Sequence, residues 1–276
     1  MKDFFRRLCR NRLTVVCLVL FVVIILMVAF ANVIAPYGWD EGVVADRFQA
    51  PSLQHLCGTD NLGRDIFSRI LYGGRVSLAI GLISALVTSV VGTIIGSVSA
   101  YFGGAFDNVV MRILDVFMAL PPILLAIAVS AALGNGAMNT TLAVIISGIP
   151  GKARVARGPV LALRNQEFVE AATAANSSTP KIIFRHIVPN IMAQVIVQMT
   201  LSISGTIVSV AGLSFLGLGV QPPSPEWGAM LSAGRSYLRD YPWMVIAPGI
   251  AMMLTLFSLN VVGDGVRDAL DPKLRD

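Results

Sequence analysis

The chain has 276 residues, 55% of them apolar and only 13% charged, with a formal net charge of +5. Soluble domains carry about 25% charged residues; here the deficit is concentrated in long stretches without Asp, Glu, Lys or Arg, as a hydrocarbon solvent demands. The surplus Lys and Arg flank those stretches, where they orient spans rather than bind nucleic acid, and three cysteines (Cys9, Cys17, Cys57) with two histidines outside the spans (His55, His186) offer neither a disulfide framework nor metal-ligand spacing.

Residues 13–35 are uncharged and, at about 1.5 Å per residue, longer than a ~30 Å hydrocarbon core requires. The run is too long for a signal-peptide core and no small-residue cleavage site follows, so it is read as an uncleaved first helix. Residues 36–75 form an irregular excursion marked by Pro36, Tyr37, Gly38 and Pro51. Gly58-Thr59-Asp60 predicts a turn opening a short helix, with Thr59 or Asp60 as its cap. Leu62, Ile66 and Ile70 form one apolar stripe, Asp65 and Arg69 are spaced to pair at i, i+4, and Gly73-Gly74 is expected to end the helix, which would lie on the membrane surface.

The second span covers 76–106, with a break near Gly103-Gly104. Residues 116–151 are again uncharged and too long for one crossing, so a hairpin turning at Gly134-Asn135-Gly136 is predicted, with Arg112 and Asp115 pairing one turn apart at the start of the third helix. The fifth span begins at Ile187 and is dismantled after Gly212 by Gly217, Gly219 and Pro222-Pro223; the last covers 241–263, opening on the interfacial aromatics Tyr241 and Trp243. The expectation is an all-α membrane protein with six transmembrane helices. Fifteen Lys and Arg then fall on one side and six on the other, which places both termini in the cytoplasm. Residues 1–75 form an N-terminal helix plus external segment, and 76–276 a core of five helices.

The segment 152–186 is the longest connection on the basic side. Gln166–Ala175 is a good helix former with Phe168, Ala171, Ala172 and Ala175 on one face. Asn176 ends it, since Asn tolerates the left-handed conformation, and Thr179-Pro180 starts a second helix as cap and first residue. The small-residue face, flanked by Arg164, Glu167, Glu170 and Lys181, reads as a docking surface for a separate protein. Other classes fit poorly. No G-x-x-x-x-G-K-[ST] run is present, which excludes an ATPase in this chain. The acidic residue nearest a span, Asp115, sits near a span end, unlike a proton relay. Ser202, Ser204, Ser209 and Ser214 have no histidine at membrane depth to act as base, unlike an intramembrane hydrolase.

Glu170-Ala171-Ala172, followed by His186, Pro189 and Asn190, resembles the EAA loop of bacterial ABC import permeases, with Asn176 where that family usually has Gly. Gly58-Thr59-Asp60, Gly63-Arg64-Asp65 and Ser68-Arg69 resemble the external signature of the dipeptide/oligopeptide/nickel permease family. So do Leu213–Gly219 with Gln221-Pro222-Pro223 and Glu226-Trp227-Gly228, and the ending Asn260, Gly263-Asp264-Gly265, Arg267-Asp268, Leu270-Asp271-Pro272. The resemblance runs nearly the whole length and is to the C-type subunit. It implies a type I ABC importer permease fold in the bacterial cytoplasmic (inner) membrane. It also implies a homologous second permease, two cytoplasmic ATPases and an extracytoplasmic solute-binding protein. ATP and Mg would be held by those ATPases, leaving this chain with no cofactor of its own. Glu170, Ala171, Ala172, Asn176, Pro189 and Asn190 would be the coupling positions, and short peptides the leading cargo, with nickel complexes, glutathione and other small solutes open.

Overall fold

The computed structural model describes Leu8 and residues 11–270. The basic N-terminal residues 1–7, Cys9 and the closing Asp271-Pro272 of the sequence reading lie outside the described residues. The described chain is helical, its only extended pairings being two isolated bridges, Gly42 with Arg64 and Thr59 with Asp65.

Helix α1 (Arg12–Ala29) is capped by Asn11, whose side-chain oxygen accepts the Leu13 N–H at 2.9 Å. It is apolar all round and buries only Thr14, Cys17 and Val28, as a lipid-facing helix does. A short turn, α2 (Ala31–Ile34), follows. Helix α3 (Ile66–Phe102) then runs without interruption for 37 residues. There is no separate surface helix, and Gly73-Gly74 is not a terminator. Gly74 is needed for close approach, since a Cβ there would collide with Val28 and Trp227, whereas one on Gly73 would meet Pro225 and Glu226 at ordinary contact distance. Helix α3 ends at Gly103, which adopts φ +65°.

The predicted third span is in two pieces. Helix α4 (Gly104–Met118) and α5 (Pro122–Leu133) meet at an angle of 84°. Pro121-Pro122 causes the break, since two successive residues lack an N–H and the first disfavours helical backbone at Leu120. The turn at Gly134–Gly136 is as expected, with φ of +84° and +127° at the glycines. Helix α6 (Ala137–Leu163) continues past Gly151 through Pro150 and Pro159, so the predicted loop 152–186 begins a full helix segment too early.

Helix α7 (Glu167–Ala174) is short; α8 (Thr179–Phe215) is 37 residues long; α9 (Trp227–Gly234) and α10 (Trp243–Leu270) complete the chain. Helix α8 widens into a π-turn at Ile182–Ile187, where Val188 N–H reaches the Ile183 carbonyl. Pro189 lies one residue further on, and its missing N–H leaves the Arg185 carbonyl without an α-helical donor. Helix α10 carries on beyond Gly263 to Leu270. Among the described residues α1, α3, α8 and α10 are long and apolar enough to cross a membrane, and α4–α5 counts as a fifth crossing if the bent pair is one span. Helix α6, with Lys152, Arg154 and Arg157 in its second half, is not among them.

The most extensive helix contact is α3 against α6. Gly92 and Gly96 let α6 approach at Lys152–Ala153: a Cβ on Gly92 would stand 2.5 Å from the Lys152 Cβ, the small-xxx-small logic of membrane helix pairs. An ion pair locks the same seam. Asp107 of α4, 4% exposed, accepts from Arg157 Nη2 of α6 at 2.5 Å and from the Ser99 hydroxyl of α3 at 2.6 Å. Asp115 pairs across to Arg154 of α6, not to Arg112 within its own helix as the spacing predicts.

Arg157→Ala would leave the Asp107 carboxylate buried and uncompensated. It is expected to cost about 3 kcal/mol, the low end for a buried pair because Arg157 is itself partly exposed. Thermal unfolding of the detergent-solubilised complex would read this, and the double change Asp107→Asn with Arg157→Gln should recover more than half of it. A single variant as stable as the native chain would show that the pair does not hold the seam.

Candidate functional site

Two built regions lie at opposite ends of α3. At its C-terminal end, α7 rests on a cluster of Ala100, Val160, Ile182, Ile187 and Ile191 through Val169 and Ala172. These two are buried while Phe168, Ala171 and Ala175 are exposed. The predicted single face is therefore two. Ala172 belongs to the inward face at i, i+3 from Val169, and the outward face is Phe168, Ala171 and Ala175. Gln166 provides the extended N-cap backbone, and Glu167 and Glu170 in the first turn suit the positive end of the helix dipole.

The end of α7 is a Schellman motif. Ser177 N–H donates to the Ala172 carbonyl at 3.1 Å and Asn176 N–H to Thr173 at 2.9 Å, with Asn176 at φ +53°. That is the geometry in which a Gly is usual and Asn is the best substitute. Ser178 is the extended cap of the next helix and Pro180 its second residue, so the helix begins one residue earlier than predicted. Pro189 and Asn190 are both exposed early in α8. The Asn190 amide donates to the His186 carbonyl at 2.5 Å, securing a helix already stretched by the π-turn.

Beside α7 is an open groove of about 770 Å³, lined by Tyr101, Phe102, Arg164, Val169, Glu170 and Thr173 among others. Arg164 Nη1 donates to the Ala100 carbonyl at 2.9 Å, tying the end of α6 to the end of α3 and fixing one wall. Tyr101 and Phe102 give the groove aromatic surface, and Glu170 in its lining is exposed.

At the other end of α3 the predicted external motif is folded on itself. The Asp60 carboxylate accepts from Arg64 Nε at 2.7 Å and from the backbone N–H groups of Leu62 and Arg64 at 2.8 and 3.0 Å. Arg69 lies 3.7 Å from Asp60 and donates to the Trp39 carbonyl at 2.7 Å. Asp65 caps α3 by accepting the Ser68 N–H at 2.7 Å, and its other oxygen lies 3.0 Å from His55 Nδ1. The predicted cap at Thr59 or Asp60 and the Asp65–Arg69 pair are thus replaced by a cap at Asp65 and an Asp60–Arg64–Arg69 cluster.

Thr59 accepts the Gln49 N–H, and its carbonyl accepts from Trp243 Nε1 at 3.3 Å. Gly58 and Gly63 have φ of +76° and +73°. At Gly58 a Cβ would strike the Trp243 ring, and at Gly63 it would strike the Val43 carbonyl. The cluster clamps the start of α3 to the start of α10. Burial, and secondarily the Asp65 charge, hold the Cys57 thiol above the ordinary cysteine range.

The sequence reading missed two features. Asp107–Arg157 is one, because its partners are fifty positions apart. The other is Glu226, fully buried, which caps α9 through the Ala229 N–H at 2.9 Å and accepts the Ser77 hydroxyl at 2.9 Å. The signal for it was the N-cap position immediately before the apolar run Trp227–Leu231.

A bundle of long apolar helices, clamped at one end and presenting at the other a braced helix with an open outward face, is an integral membrane architecture. The comparisons with known proteins agree. The chain belongs to the binding-protein-dependent transport system inner membrane component family, whose model matches residues 92–276, and residues 1–51 match the N-terminal TM domain of oligopeptide transport permease C. It is a permease subunit of an ABC importer.

It is 42% identical over 274 residues to the dipeptide transport system permease protein DppC of Alkalihalophilus pseudofirmus, covering 99% of this chain and 90% of that one. It is 45% identical over 276 residues to the glutathione transport system permease protein GsiD of Pectobacterium atrosepticum, covering 99% and 91%. Among solved structures it resembles an inward-facing conformation of the MetNI methionine ABC transporter, with a TM-score of 0.59 at 15% identity, covering 74% of this chain and 96% of that one.

Two local consequences are measurable. Asn176→Gly should be neutral to slightly stabilising, whereas Asn176→Val, forced into the left-handed region, should cost about 1–2 kcal/mol, read as faster hydrogen exchange at residues 174–177. Unchanged exchange in the valine variant would argue against the motif. Cys57, with its thiolate depleted at neutral pH, should react with maleimide at pH 7 more slowly than an exposed cysteine and speed up as pH rises. Asp65→Asn should accelerate it only slightly, because burial is the larger cause.

Proposed function

We propose that this chain is a C-type subunit of a bacterial inner-membrane importer, forming half of a translocation path for short peptides with a homologous permease. It has six crossings, α6 being the one of lowest hydropathy, and both termini in the cytoplasm. Two ATPases bind on the α7 side and hydrolyse ATP there, and a solute-binding protein delivers cargo on the side of the Asp60–Arg69 cluster. The observation that carries this reading is the two-faced α7. Its inward face is packed into the ends of α3, α6 and α8, so a displacement applied to Phe168, Ala171 and Ala175 is passed to three helices at once rather than absorbed by a loop.

The groove between α7 and residues 101–104 receives the partner's helix, and Glu170 on the rim sets its orientation. Closure of the ATPases then pulls the α7 ends together and opens the path at the clamped end. The name of the dipeptide relative supports peptide cargo. The glutathione relatives support a second reading of the same kind, a γ-linked tripeptide; uptake by vesicles holding the reconstituted complex, offered di-alanine, glutathione and nickel complexes in turn, separates the three.

Glu170→Lys should leave the subunit inserted and paired with the second permease while uptake falls at least tenfold. ATP hydrolysis by the complex should no longer respond to loaded binding protein. Native uptake at native expression would contradict the placement of the ATPase at this groove.

A further inference from the structure

The second half of α6 carries three basic residues near or within membrane depth, and they are not equivalent. Lys152 lies fifteen residues beyond Ala137, the start of α6, or about 22 Å along the axis, within a hydrocarbon layer of about 30 Å. Arg154 is paired with Asp115 and Arg157 with Asp107. Lys152 has no carboxylate partner among the described residues. Its Nζ donates one hydrogen bond, to the Gln198 carbonyl of α8 at 2.8 Å.

An ammonium has three donors, and a charge at this depth is costly unless it faces water or an anion. Gly92 leaves room for the Lys152 stem to lie against α3, which brings the ammonium to the seam between α6 and α8. Gln194 and Gln198 stand one turn apart on α8. Gln194 is exposed, Gln198 is partly buried, and further along nothing lies within 4 Å of where a Cβ of Gly205 would stand. One uncompensated ammonium bonded to the Gln198 backbone, with the amides of Gln194 and Gln198 one turn apart on the same helix, is a donor set for a carboxylate attached to a peptide group.

We propose that Lys152, at the α6–α8 seam, is a solute-contacting cation of the translocation path, taking the carboxylate of the passing solute while Gln194 and Gln198 meet its amide groups. This rests on the reading of the cargo as a carboxylate-bearing peptide. It explains why Lys152 alone of the three lacks an acidic partner: an internal carboxylate would neutralise the group that the cargo must find.

The test uses the complete importer in liposomes, with radiolabelled di-alanine and glutathione as probes. Lys152→Gln keeps a donor for the Gln198 carbonyl but removes the charge, and uptake at saturating probe should fall about tenfold, the worth of one charged hydrogen bond. Lys152→Arg, which keeps the charge, should stay within about threefold. In a chain with Cys9, Cys17 and Cys57 changed to Ser, Lys152→Cys should react with water-borne methanethiosulfonates. The aminoethyl reagent, which restores an ammonium, should recover uptake where the sulfonatoethyl reagent does not; this arm decides the matter if Lys152→Gln fails to assemble.

Native uptake by Lys152→Gln, or a Lys152→Cys chain deaf to both reagents, would make Lys152 an interhelical tie and overturn the assignment alone. A native complex that imports neither probe would overturn the peptide reading, and the role of Lys152 with it.

Discussion

The structure depends on how closely α3 and α6 approach one another. Gly92 and Gly96 admit the backbone of α6 at Ala153, and no larger residue fits there without moving a helix. In a bilayer, helices gain little by burying apolar surface against each other, so such contacts hold through van der Waals packing and specific polar locks. Here the lock is Asp107, which gathers Ser99 of α3 and Arg157 of α6 at the start of α4. From that seam follow the place of Arg164 on the end of α3, the shape of the groove beside it, and the platform on which α7 sits.

The two ends of α3 are built for opposite tasks. At one, Asp60, Asp65, Arg64 and Arg69 spend their charge on one another and on the backbone, so the excursion before α3 is a clamp on α3 and α10. At the other, the charge and the small residues of α7 face outward. A helix continuous over 37 residues between them makes a stiff connection, which is what a subunit needs if work applied at one face is to change access at the other.

Much of this was legible in the sequence because bilayer chemistry is coarse. Uncharged runs located the first, second, fifth and last helices; the Gly134–Gly136 turn and the α7 helix with its Asn176 stop were read from local backbone chemistry alone. What failed was punctuation. Gly73-Gly74 look like a stop, yet in a membrane helix glycine serves close packing. Pro121-Pro122 passed as part of an uncharged run and instead sets α4 and α5 at 84° to one another. Arg154 and Arg157, counted as loop charges, lie on α6 because Asp115 and Asp107 neutralise them there. Pairings between residues far apart in the chain leave no periodic trace, so Asp107–Arg157 and Glu226–Ser77 were out of reach; around Asp60 a tight turn, not helical spacing, sets the partners, and the local pairs Asp65–Arg69 and Arg112–Asp115 were chosen instead.

The central claim is that α7 transmits force because one face is anchored and the other engaged by the ATPase. Photo-crosslinking from single positions of α7 in the assembled importer measures this directly. The account predicts that a benzophenone side chain at Ala171 or Ala175 captures an ATPase subunit, while one at Ala172 yields crosslinks only within this chain. ATPase capture from Ala172, or none from Ala171 and Ala175, would contradict it.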